Sequence, residues 1–224
     1  MELSSRRLRR SWVGAVFAVA AMCALDANAA EFRGFISDGP AGLFVFQSCS
    51  GASVSARTAK VADKSPDSAL TAGVHAVRQV MEDRTRPLYV EFAGEASGNV
   101  VTVQRFQRAI GHVLACAGAP RDIAPGTRLA GSGVEGWRFV ATSTSAQLDV
   151  AGGKVVRFPA SSFAASARPG STRVYDAWSA QDGGTIRVEV TEEVCLDERS
   201  ETATGARMAL RYTSTSVEGC ASRF

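Results

Sequence analysis

Apolar and polar residues alternate over short stretches through most of this chain, the period-two pattern of half-buried β-strands. Phe32 to Ser37 is aromatic and β-prone. Leu43 to Gln47 returns beyond the turn cluster Asp38-Gly39-Pro40-Ala41-Gly42, so the two segments form a hairpin that ends near Cys49. Ser53 to Arg57 alternates weakly and is a candidate third strand. The period then changes. Ser65-Pro66-Asp67 is a helix start, with Ser65 as N-cap and Pro66 in the first turn. Leu70, Val74, Val77 and Met81 follow at spacings of four, three and four, which places them on one helical face, and the helix must end before Pro87. Leu88 to Phe92 and Val100 to Phe106 are strands again, with a turn at Gly94 to Gly98.

This order, with the helix between the third and fourth strands, suits an oligonucleotide/oligosaccharide-binding-type (OB-like) barrel over residues 30–118. The stretch Ala117 to Gly126, rich in Ala, Pro and Gly, marks a domain boundary. Beyond it every candidate segment reads as strand: Trp137 to Thr142, Gln147 to Val150, Lys154 to Phe158, Arg173 to Trp178, Thr185 to Val190, Arg207 to Tyr212 and Ser216 to Cys220. Gly152-Gly153 and Gly183-Gly184 are hairpin turn signals. Residues 127–224 are therefore expected to form a small antiparallel barrel or sandwich, and the fold class is mostly β with two barrel-like domains. Gly131 to Gly136 matches G-x-G-x-x-G, but Trp137-Arg138-Phe139-Val140 follows as a strand where a dinucleotide site needs a helix, so this stretch is expected to be a turn.

The N-terminus departs from the alternating pattern. Arg6, Arg7, Arg9 and Arg10 precede an uncharged apolar run from Trp12 to Leu25, too short to span a bilayer comfortably. Ala27-Asn28-Ala29 follows, the small-x-small pattern at which signal peptidase cuts. Residues 1–29 are expected to be a signal peptide cleaved after Ala29. Arg9-Arg10-Ser11-Trp12-Val13 is a loose twin-arginine pattern, so the sequence does not separate folded from unfolded export. Cys23 stands where a lipoprotein cysteine could, but Met22 before it fits a lipobox badly. No second apolar run is long enough for a transmembrane helix, and the mature chain is expected to be soluble in the periplasm or at most peripheral to the outer membrane.

Charge changes meaning once this leader is set aside. Four arginines and two acidic residues leave with it, so the net charge of +3 falls to +1. A near-neutral chain lacks the electrostatic footprint of a nucleic-acid partner. Four cysteines remain, Cys49, Cys116, Cys195 and Cys220. An even number in an exported chain points to disulfides. Of three connectivities, Cys49–Cys116 with Cys195–Cys220 is preferred because each pair then falls inside one expected domain. With no Cys-x-x-Cys and only His75 and His112 to add, neither a metal site nor a cofactor is expected.

Candidate chemistry is sparse. His75 follows core-facing Val74 on the helix, and His112 lies in the mostly apolar Ala109 to Cys116. No G-x-S-x-G surrounds a serine. Glu192, Glu193, Asp197, Glu198 and Glu201 cluster near a cysteine and could supply a carboxylate pair for hydrolysis, although a solvated loop is the simpler reading. Trp137, Tyr175 and Trp178 are candidate pocket-lining aromatics of the second domain.

Several short segments carry a resemblance: Phe32-Arg33-Gly34 with Phe46-Gln47-Ser48-Cys49, Pro87 to Glu95, Gly133 to Trp137, Val156 to Pro159, Cys195-Leu196-Asp197 and Glu218 to Ala221. In these the chain resembles a group of uncharacterised bacterial envelope proteins, many of them lipoproteins. Their N-terminal segment is like that of the copper-homeostasis lipoprotein NlpE, and it is joined to a small β domain. Where the group continues after Cys-x-Asp with a Met-Ser pair, this chain has Glu198-Arg199-Ser200. The resemblance implies an envelope location and two β-rich domains, and no established activity. The function expected is a non-enzymatic binding or envelope-maintenance role with an unknown envelope protein or small ligand as partner. The alternatives are an inhibitor or sensor of another envelope protein, such as a lysozyme, and a hydrolase that uses the acidic cluster.

Overall fold

The computed structural model describes residues 29–49, 58–118, 126–133, 135–159, 164–167, 172–179 and 183–224. Residues 1–28 of the expected signal peptide and the Ser53 to Arg57 strand candidate lie outside these. The first barrel uses β1 (Ala30–Asp38), β2 (Phe44–Ser48), β3 (Thr58–Asp63), helix α1 (Ala69–Val80), β4 (Leu88–Ser97) and β5 (Val100–Ile110). Around it the strands run β1-β2-β3-β5-β4 and back to β1. All pairs are antiparallel except β3 with β5. This closed five-stranded barrel, with its helix between β3 and β4, is the OB-like arrangement expected from the order of elements.

The helix seals the barrel because its apolar stripe faces inward: Leu70, Val74, Val77 and Met81 are all buried against Phe32, Phe46 and Phe92 in one core. Its start is more elaborate than the sequence suggests. Ser65 opens a single 3-10 turn, Pro66–Ser68, and the α-helix begins at Ala69. The Asp63 carboxylate accepts from the backbone N–H of Ser65 at 3.1 Å and of Thr71 at 2.9 Å, and the Ser65 hydroxyl accepts from Leu70 N–H at 3.2 Å. Orphan donors of the first turn are thereby satisfied. Asp67 and Ser68, both with φ of 52°, adopt the left-handed region that side chains other than glycine rarely enter.

The second barrel uses β6 (Thr127–Ser132), β7 (Arg138–Thr142), β8 (Ser145–Val150), β9 (Lys154–Pro159), β10 (Ala164–Ala167), β11 (Thr172–Ser179) and β12 (Gly184–Thr191). After the short β13 (Cys195–Asp197) and β14 (Thr202–Thr204), the chain returns to it with β15 (Ala206–Tyr212) and β16 (Thr215–Arg223). The order is β10-β11-β12-β15-β16-β6-β7-β8-β9, antiparallel throughout, and β9 comes back against β11 to make a nearly closed eight-stranded barrel. Its core is built from alternate positions, with Phe139, Leu148, Phe158, Ile186, Val188 and Met208 each at most 2% exposed. The G-x-G-x-x-G stretch is the β6–β7 hairpin. A Cβ on Gly133 would meet the buried Trp137 indole at 2.6 Å, so the glycine there serves packing.

The second half of the chain contributes an element to the first barrel. The hairpin β13–β14 belongs by sequence to the second half, yet it pairs with β5 of the first barrel, Thr202 opposite Ile110 and Thr204 opposite Arg108. Ala203 is fully buried in the first core, and Val194 and Leu196 pack on it.

Candidate functional site at the seam between the barrels

Both expected disulfides form, Cys49–Cys116 and Cys195–Cys220. The first closes residues 49 to 116 of the first barrel. The second has a role that the domain-by-domain argument does not contain: Cys195 sits in the sheet of the first barrel and Cys220 in β16 of the second, so the bridge staples one barrel to the other.

The seam beside it is polar and closely bonded. A bulge in the β4–β5 ladder skips Gln107, and its carbonyl turns to the second half instead. It accepts from Gly205 N–H and from the Ser222 hydroxyl, each at 3.0 Å. The same bulge sets Arg108 opposite Glu91. Glu91 is fully buried, and its carboxylate accepts from Arg108 Nε at 2.8 Å, Arg108 Nη2 at 3.1 Å and the Tyr89 hydroxyl at 2.7 Å. A buried charge paired in this bidentate way is tolerable because each carboxylate oxygen finds a donor. Burial raises the Tyr89 phenol well above its ordinary range, and the hydrogen bond to Glu91 and its charge act in the same direction.

Where α1 meets the crossover from β12 to β13, the seam opens into a cavity of about 230 Å³. Ala69, Ala72, Phe106 and Val194 give it an apolar lining, and Arg105, Arg223, Glu192 and Glu193 stand around it. The left-handed Asp67 lines its edge. Both halves of the chain are needed to form it.

The acidic cluster is dispersed along this seam and is not gathered at one point. Glu192 pairs with Arg223 and, at 4.0 Å, with Arg173; Glu193 pairs with Arg207 at 2.6 Å. Asp197 accepts from Arg199 N–H at 3.1 Å and from the Ser200 hydroxyl at 2.7 Å, closing the β13–β14 turn. Glu198 is exposed in that turn, and Glu201 has a φ of 46°. Among the described residues, no group of three or more His, Cys, Asp or Glu side chains comes together as a metal site. His75 is exposed beside the Phe44 ring, and His112 is exposed with Nδ1 3.1 Å from the Ser200 carbonyl.

The three aromatics do not share a pocket. Trp137 is buried in the second core, Tyr175 packs against that core, and Trp178 lies on the outer surface, 52% exposed. The seam residues Glu91, Arg108, Arg223 and Gln107 escape sequence reasoning. The available signal is Glu91, a lone charge inside the apolar run Leu88 to Ala93. Among the described residues, no helix is long and apolar enough to cross a membrane. No protein-family model, no curated protein and no solved structure matches this chain.

Proposed function

We propose that the chain is exported to the periplasm after cleavage behind Ala29, and that it works there as a non-enzymatic binding protein of the NlpE-like envelope group. In this reading the seam cavity holds a small ligand with an apolar body and a charged end. The observation that carries it is the cavity itself. It sits at an interface between two barrels, a preferred location for ligand sites, and a strained non-glycine turn at Asp67-Ser68 is maintained at its edge. Its volume lies below the roughly 300–1,000 Å³ of sites for drug-sized ligands, which suits a small molecule or one side chain of a partner. Of the carboxylates that could have served hydrolysis, Glu192 and Glu193 are engaged with arginines and Asp197 closes a turn. The two disulfides suit an oxidising compartment.

Native mass spectrometry of the protein taken from its own periplasm tests this reading. The expected spectrum shows a chain beginning at Ala30, two disulfides and a bound small molecule. Ala72→Phe, which fills the cavity from an exposed helix position, should lose that mass without unfolding the protein. Hydrolysis of peptidoglycan or an ester that disappears in Glu193→Gln would overturn the reading.

A further inference from the structure

We propose a second binding site, independent of the seam, on the outer face of the second barrel: Trp178 and Arg211 together recognise a saccharide that carries a carboxylate. Three neighbouring strands present this face as a grid. Asp176, Arg187 and Arg211 stand side by side across β11, β12 and β15, with Asp176 opposite Arg187 and Arg187 opposite Arg211. One step along the strands, Trp178 is opposite Thr185, whose carbonyl accepts from Thr213 N–H at 3.2 Å. Alternate residues between them, Ile186, Leu210 and Tyr212, point into the core, so the grid residues face out. The face forms a depression of about 570 Å³.

Two features of this grid work against stability if nothing binds there. An indole 52% exposed on a regular strand leaves a large apolar surface in water. Two arginines stand directly opposite each other on adjacent strands, and only one of them has counter-charges among the described residues. Arg187 is neutralised, with Asp176 at 3.6 Å and Glu189 at 2.9 Å. Arg211 is exposed and has no ion-pair partner among the described residues. A guanidinium with no such counter-charge and an exposed indole lining one depression are complementary to an anion joined to a flat apolar surface. A pyranose ring offers that surface through its axial C–H bonds. Its hydroxyls suit Thr185, Thr213 and the Asp176–Arg187 pair, and a carboxylate on it suits Arg211.

The test is calorimetric titration of the full chain, both disulfides formed, with three probes: oligogalacturonate, a neutral oligoglucoside of the same length, and hexaglutamate. Oligogalacturonate should bind, with affinity that falls as salt is raised. Trp178→Ala and Arg211→Ala should each weaken it by about tenfold or more, whereas Arg211→Lys should retain part and Ala72→Phe should change nothing. Both variants alter exposed side chains, and an unchanged circular-dichroism melt confirms their fold. Equal affinity for the neutral sugar would overturn the role of Arg211. Hexaglutamate binding without oligogalacturonate binding would make the site a peptide site, and silence from all three probes would sink the proposal. None of these results touches the seam cavity, which Ala72→Phe reports separately.

Discussion

Glu91 is the residue on which the seam depends most directly. Its carboxylate is out of water and answers Arg108 and Tyr89 at once. Glu91→Gln would remove a buried negative charge from beside Arg108, itself 9% exposed. Breaking one side of a buried pair typically costs about 3–5 kcal/mol, and a urea denaturation curve should show a loss of this size. Arg33, which lies 3.8 Å from Glu91 and is more exposed, is a weaker partner and should cost about 1 kcal/mol or less when changed to Gln. Tyr89 gives a pH signature. Its folded-state pKa is raised, so the stability it contributes is complete below the ordinary phenol value of about 10 and declines as pH rises above it, because the unfolded chain then loses a proton that the folded chain keeps. In an ultraviolet titration of the three tyrosines, Tyr89 should stay protonated until the fold is lost. Tyr89→Phe should remove that alkaline loss of stability.

At the scale of elements, the hairpin β13–β14 decides what counts as a folding unit. The five strands and helix of residues 30–118 look self-sufficient in sequence. In the fold, β5 from Arg108 to Ile110 needs β14 as a ladder partner, and Ala203, Val194 and Leu196 complete the core. Residues 30–118 produced alone should therefore expose an unpaired strand edge beside apolar surface and aggregate. The same segment with residues 194–205 fused through a flexible linker should remain monomeric in size-exclusion chromatography. The helix α1 shows the opposite relation. Its inward face could be read at once from Leu70, Val74, Val77 and Met81, since spacing alone sets which side chains share a helical face. Its cap could not. Asp63 lies in the preceding strand and reaches Thr71 only because the chain folds back there.

At the scale of the whole molecule, the barrels are joined by the Cys195–Cys220 bridge and by the Gln107 carbonyl. Opening the bridge with paired Cys195→Ser and Cys220→Ser changes should destabilise by about 3–4 kcal/mol in the chain-entropy model. It should also make the crossover between β12 and β15 cleavable by protease under native conditions. Loss of stability without new cleavage would mean that the remaining contacts hold the barrels together on their own.

The mostly β character, the single helix with its buried face and the presence of two disulfides follow from sequence alone. Each depends on local periodicity or on a count of residues, and neither needs a distant partner. The strand candidate at Ser53 to Arg57 lies outside the described residues, and the strand that completes the barrel there is Thr58–Asp63. The tertiary structure alone decided that residues 195–204 leave their own half to complete the other barrel, and that Trp178 stands apart from Trp137 and Tyr175. It also decided that Glu91, Arg108 and Gln107 serve the seam. The physical reason is the same in each case. An unpaired strand edge, a buried charge and a bulged carbonyl must all be satisfied, and the group that satisfies each lies far away in sequence. No local pattern can name it.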